Sequence, residues 1–199
     1  MFIVKNSIFK QNYARYLEQI GNLDLEARQW NLGITVNQGV SVLPFFNKQY
    51  KVSKLGISGD LNYAAKVILL KYLLMCPQEM PVGGTDWIPY REFKDSGQSN
   101  GAGLSDYIAQ TLAEHFTGKL DQLRDACYRL GGVPPETEYP HDLAFEFQVL
   151  PRVPVLFLFN DAEEGFPAQV TILYQRRAEN FLDAECRVML DGYLLENLK

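Results

Sequence analysis

Three carboxylates stand within four positions of one another at Asp161, Glu163 and Glu164, between the apolar runs Val153–Phe159 and Ala168–Tyr174. Clustered carboxylates can hold a hard divalent cation or move protons. The same residues also suit a solvated hairpin turn, with Gly165 supplying a positive φ and the charges keeping the loop wet. The calcium-loop spacing is absent, and no histidine stands beside the cluster in the sequence to suggest a transition metal.

A second group lies mid-chain. Arg91 and Lys94 precede a glycine-bearing loop, Gly97 to Gly103, that leads into a helix. Backbone N–H groups at a helix start, with an arginine nearby, can hold a carboxylate or phosphate. Trp87 and Tyr90, with Phe93, could line a pocket for a planar ligand, although aromatics at this spacing also build core. The predicted ligand-binding set is Trp87, Tyr90, Arg91, Lys94, Gly101 and Gly103. The loop lacks the Lys-Ser/Thr of a phosphate-binding P-loop and the spacing of a dinucleotide fingerprint. Asp95 and Asp106 add negative charge to it.

The histidines are His115, on the apolar face of a predicted helix, and His141, next to Asp142 at a strand entry. An aspartate can orient a histidine as a general base, but no nucleophile motif accompanies the pair. Cys76, Cys127 and Cys186 are scattered, with no paired spacing for zinc or a disulfide framework. They read as reduced, packed thiols in a cytoplasmic setting. No motif identifies a reaction or a cofactor.

The elements that must position these groups follow from periodicity. Ser7 can cap a helix over 8–20, with Phe9, Tyr13, Tyr16, Leu17 and Ile20 on one face. Asp24 opens a short helix that ends near Gly33. From Ile34 the period becomes two, and two or three short antiparallel strands are expected; 40–46 is apolar on both faces and is expected to be buried on both. Asp60 can cap a helix over 61–75 that is apolar nearly all round and therefore belongs in a core. Trp87–Phe93 is a short extended piece suited to a sheet edge. Helices resume at Leu104 and at Leu120, ending at Gly131-Gly132. Strands are expected at 142–150, 153–159 and 168–174, and a last helix over 183–197 carries Cys186, Met189, Leu190, Tyr193 and Leu194 as its apolar stripe.

These elements predict an α+β fold, an antiparallel or mixed sheet with helices packed on it, in a single domain of 199 residues. Residues 1–24 form its N-terminal helical extension. The net charge is −5 and no basic run exceeds Arg176-Arg177, which disfavours nucleic acid and an anionic membrane surface. No apolar run is long enough to span a membrane, and the first residues do not read as a signal peptide.

The segments Ile68–Leu74, Trp87–Phe93 with the glycine-bearing loop, Leu130-Gly131-Gly132, Val153-Pro154-Val155, Glu163–Ala168 and Ile172-Leu173-Tyr174 occur in an order that resembles an uncharacterised prokaryotic family. That family is a domain of unknown function, numbered 3786, and the resemblance spans residues 25 to 195. It implies a single-domain protein from an anaerobic bacterium or archaeon and carries no activity or catalytic residue. Some relatives hold a cysteine-rich, iron–sulfur-like segment; the scattered cysteines here depart from it. The expectation is a binding or accessory protein for a small anionic ligand or cofactor, or for a partner protein. The alternative is a carboxylate-based, divalent-metal-dependent enzyme built on Asp161, Glu163 and Glu164.

Overall fold

The protein is described by a computed structural model covering residues 2–98 and 101–199. Ser99 and Asn100, within the loop expected to be flexible, lie outside the described residues. Helix α1 spans Phe2–Gly21 and α2 spans Leu25–Leu32. Ser7 is inside α1 rather than at its start, because the helix continues for more than a turn before it. Asp24 caps α2 as expected, its carboxylate accepting from Ala27 N at 3.0 Å.

Four short antiparallel strands follow: β1 (Thr35–Asn37), β2 (Val40–Phe45), β3 (Lys48–Ser53) and β4 (Gly56–Ile57), paired in that order. On β2 only Ser41, Leu43 and Phe45 are buried; Val40, Val42 and Pro44 are half-buried, so the strand covers the core with one face. The next helix, α3 (Tyr63–Leu74), is capped by Asn62 and not by Asp60: the Asn62 side chain accepts from Ala65 N at 2.8 Å. Its all-round apolar character places it in the interior, with Val67, Ile68, Leu69, Leu70, Tyr72 and Leu73 buried.

The second sheet is ordered β5-β8-β7-β6, from β5 (Trp87–Pro89), β6 (Leu143–Leu150), β7 (Val153–Asn160) and β8 (Gln169–Gln175), all antiparallel. The α+β fold with antiparallel strands is as expected, and among the described residues the strands form two sheets. They meet at the β2–β3 turn, where Phe46 N donates to Val149 O on β6 at 2.9 Å and Asn47 Nδ2 donates to Arg129 O at 2.7 Å. Phe46 adopts φ 52° there and stacks on Tyr193 at 5.1 Å. Strand β7, apolar on both faces, is buried from Val153 to Phe159 and lies between β6 and β8. β5 takes the edge, where Pro89 has no N–H to leave unpaired.

Helices α4 (Gly101–Phe116) and α5 (Leu120–Arg129) lead to a close approach at Gly131-Gly132. A Cβ on Gly132 would stand 2.8 Å from the Phe147 ring and 3.0 Å from the Cys127 carbonyl. Only a residue without one lets α5 seat on β6. Helix α6 (Ala184–Leu198) closes the chain; Asp183 caps it through Cys186 N and pairs with Lys71 Nζ of α3 at 2.7 Å. Buried apolar residues from both sheets and from all six α-helices form one continuous cluster among the described residues, and α1 joins it through Tyr13, Tyr16, Leu17 and Ile20. No helix among them is long and apolar enough to cross a membrane.

Candidate functional site

Pairing of Trp87–Pro89 with Leu173–Gln175 holds β5 beside β8. The chain then turns through a 3-10 segment at Tyr90–Glu92, which carries Arg91 across to α4. Between α4 and β8 lies a cleft of 320 Å³, lined among others by Tyr90, Arg91, Ser105, Asp106, Thr171 and Ile172. Arg91 Nη2 donates to both oxygens of Asp106, at 2.9 and 3.1 Å. The pair is exposed, so its net contribution to stability is small, but it ties the guanidinium to Asp106, and both residues line the cleft.

Of the predicted ligand-binding residues, Tyr90 and Arg91 line this cleft. Trp87 is half-buried on the edge strand and Lys94 is exposed, 3.8 Å from Glu179; neither borders it. Gly101 and Gly103 are in the first turn of α4 rather than in a loop, Gly101 buried and Gly103 exposed. Helix α4 therefore begins three residues before the Leu104 start that its apolar spacing suggests.

Behind the cleft is a charged network that periodicity alone conceals. Arg187 and Asp191, four residues apart on α6, are both wholly buried. Ser105 Oγ donates to Asp191 Oδ2 at 2.6 Å, and the Tyr174 hydroxyl lies 2.5 Å from Asp191 Oδ1 and 2.9 Å from the Arg187 carbonyl. A tyrosine has one hydroxyl hydrogen to give. Tyr174 gives its hydrogen to the nearer acceptor, Asp191 Oδ1. Burial pushes the Asp191 carboxyl up to about 6, although Ser105, Tyr174 and Arg187 pull the other way. The Arg187 guanidinium donates to Asp95 and to the Leu182 carbonyl and stacks on the Phe93 ring at 4.0 Å. Asp95, which adds negative charge beside the glycine-bearing loop in sequence, thus neutralises a buried arginine and also accepts from Ala184 N at 3.0 Å. A clue exists in the sequence. From Cys186 to Leu195 the helix is apolar all round except for Arg187 and Asp191, so a helix surrounded by protein must find each of them a partner inside.

The acidic hairpin occupies a different concavity. β7 and β8 are joined through it, with Glu163 and Phe166 bridged and Gly165 at φ 85°, as a hairpin turn requires. Asp161 accepts from Gly118 N at 2.8 Å and from Ala162 N at 2.8 Å, while Asp142 Oδ2 accepts from Asp161 N at 2.7 Å. A polar groove of 560 Å³ includes His141, Asp142, Asn160, Asp161, Glu163 and Phe166 in its lining. His141 thus shares a groove with two of the three predicted carboxylates, while Glu164 does not border it. Among the described residues no three His, Cys, Asp or Glu side chains are grouped so as to hold a metal ion. His115 packs edge-on to Phe116 at 4.7 Å, far from either role.

The fold and its cleft define an α+β protein of two four-stranded antiparallel sheets, with a buried ionic network beneath a surface concavity. Within that class the chain belongs to the family described as domain of unknown function DUF3786, whose model matches residues 24–197. No curated protein and no solved structure matches it. The short segments that carry the resemblance have structural work here: Gly131-Gly132 admits α5 onto β6, Val153-Pro154-Val155 opens the central strand, and Glu163–Ala168 turns β7 into β8.

Proposed function

We propose that this protein binds a small anionic ligand in the cleft between α4 and β8, with Arg91 as the charged anchor and Ser105 as a polar contact on the cleft wall. The observation that carries this reading is the convergence of Tyr90 and Arg91, from the edge of the sheet, with Ser105 and Asp106 on α4 around one concavity. Arginine suits carboxylate and phosphate oxygens, and Asp106 holds it in place for them. No reaction is assigned. The setting is prokaryotic and cytoplasmic on this reading; the three free, buried cysteines support a reducing compartment. A thermal-shift screen of sulfate, phosphate and small dicarboxylates tests it. At least one should raise the melting temperature of the wild type, and Arg91→Ala should abolish that rise. A wild type that no member of the panel stabilises sinks the proposal.

The second reading is a carboxylate-based enzyme using a divalent metal at the acidic hairpin. Its support is the shared groove of His141, Asp142, Asp161 and Glu163. Asp161 and Asp142 are occupied by backbone N–H groups there, which ranks it below the cleft. Titration with magnesium, manganese and calcium, followed by calorimetry, decides it: a silent titration removes it.

A further inference from the structure

Ser105 connects the cleft to the buried network. Ser105 lines the cleft, and its hydroxyl gives its hydrogen inward, to Asp191 Oδ2 at 2.6 Å. In that state Ser105 offers the cleft only lone pairs, which repel an anion. A proton on Asp191 Oδ2 reverses the bond: the carboxyl donates to Ser105 Oγ, and the serine hydrogen turns outward. The Tyr174 hydroxyl, 2.5 Å from Oδ1, can donate to that oxygen throughout.

We propose that an oxyanion enters this cleft together with one proton, which Asp191 takes up, and that this proton converts Ser105 from an acceptor into a donor facing the ligand. The inference rests on the anion-binding reading above and supplies its regulation: affinity rises as the pH falls. The groups around Asp191 permit this. Tyr174 faces it from β8 and Ser105 from α4. Arg187 lies one turn away on α6, its charge committed to Asp95, and Tyr90 borders Tyr174. Burial pushes the Asp191 carboxyl up to about 6, and a neighbouring anion raises it further. Arginine and tyrosine do not titrate near neutrality, so Asp191 is the group that changes.

The test is isothermal titration calorimetry with sulfate, an oxyanion that does not itself titrate in this range, from about pH 5.5 to about pH 8. Buffers of different ionisation enthalpy count the protons exchanged. The expected result is uptake approaching one proton per bound sulfate near pH 8, with affinity falling up to about tenfold per pH unit above about pH 6. Asp191→Asn, whose amide donates to Ser105 permanently, should bind sulfate with no proton uptake and a flat pH profile. Ser105→Ala should bind more weakly and also without the pH dependence, which keeps the idea testable if the buried substitution does not fold. Sulfate bound equally across the range with no proton uptake overturns the coupling and leaves the cleft as an anion site. No saturable binding at any pH, or binding that survives Arg91→Ala unchanged, overturns the site and the coupling together.

Discussion

Arg187 of α6 and Asp95, ninety-two positions apart in sequence, form an ion pair in which the guanidinium is wholly buried. The pair ties the segment after the edge strand to the first turn of the last helix. That tie holds Tyr90 and Arg91 beside α4 and so shapes one wall of the cleft.

Removing one member of the pair should therefore unsettle the fold. Asp95→Ala leaves a buried guanidinium without its counter-charge, and the expected loss is about 3–5 kcal/mol in urea denaturation. Replacing both, with Arg187→Met and Asp95→Asn, should recover most of it, because methionine still packs on Phe93. A single substitution that costs under about 1 kcal/mol would mean the pair is solvated in solution.

Asp191 should make stability depend on pH in a defined direction. Burial raises its carboxyl from 3.8 to about 6, so the folded chain keeps a proton that the unfolded chain has lost between those values. The stability contributed by the neutral form is complete below the unfolded value and disappears as the pH climbs through about 6. The difference between the two values corresponds to about 3 kcal/mol. Asp191→Asn cannot ionise, so its stability relative to wild type should rise by about that amount from pH 4 to pH 7. A difference that stays constant over that interval would refute the assignment.

Two glycines should respond in opposite senses. Gly132→Ala drives a Cβ into the Phe147 ring and the Cys127 carbonyl, and should destabilise by about 1–3 kcal/mol. Gly103→Ala meets nothing within 4 Å on an exposed helical turn and should stabilise by about 0.5–1 kcal/mol. Thermal melts of the two variants check both.

The acidic hairpin should divide by hydrogen bonding rather than by charge. Asp161→Ala releases the N–H groups of Gly118 and Ala162 and should cost about 1–2 kcal/mol. Glu163→Gln and Glu164→Gln, both exposed, should stay within about 0.5 kcal/mol of wild type. Equal losses from all three would mean that the cluster acts as one electrostatic unit.

Much of this architecture is legible in the chain itself. Strict alternation in Leu143, Phe145 and Phe147, the unbroken apolar run of β7, and the Gly165 turn announce three antiparallel strands, because burial on one face or two imposes those patterns within a few residues. The helix α3 shows its interior place in the same way. Local competition blurred the boundaries: Asn62 took the cap from Asp60 two positions away, and Gly101 and Gly103 entered α4 although glycine is a poor helix former.

What the sequence by itself determined is the set of elements and the face each must bury, since periodicity is a short-range consequence of one-sided contact with water. Only the tertiary structure decided which faces meet. It divided the strands into two sheets, gave Arg91 to Asp106, gave Asp95 to Arg187, and set Ser105 against Asp191. Charges and hydroxyls buried far apart in sequence carry no periodic signature. Their partners are chosen by the packing of α4, α6 and β8, and an unpaired charge in that interior would cost more than the fold can spare.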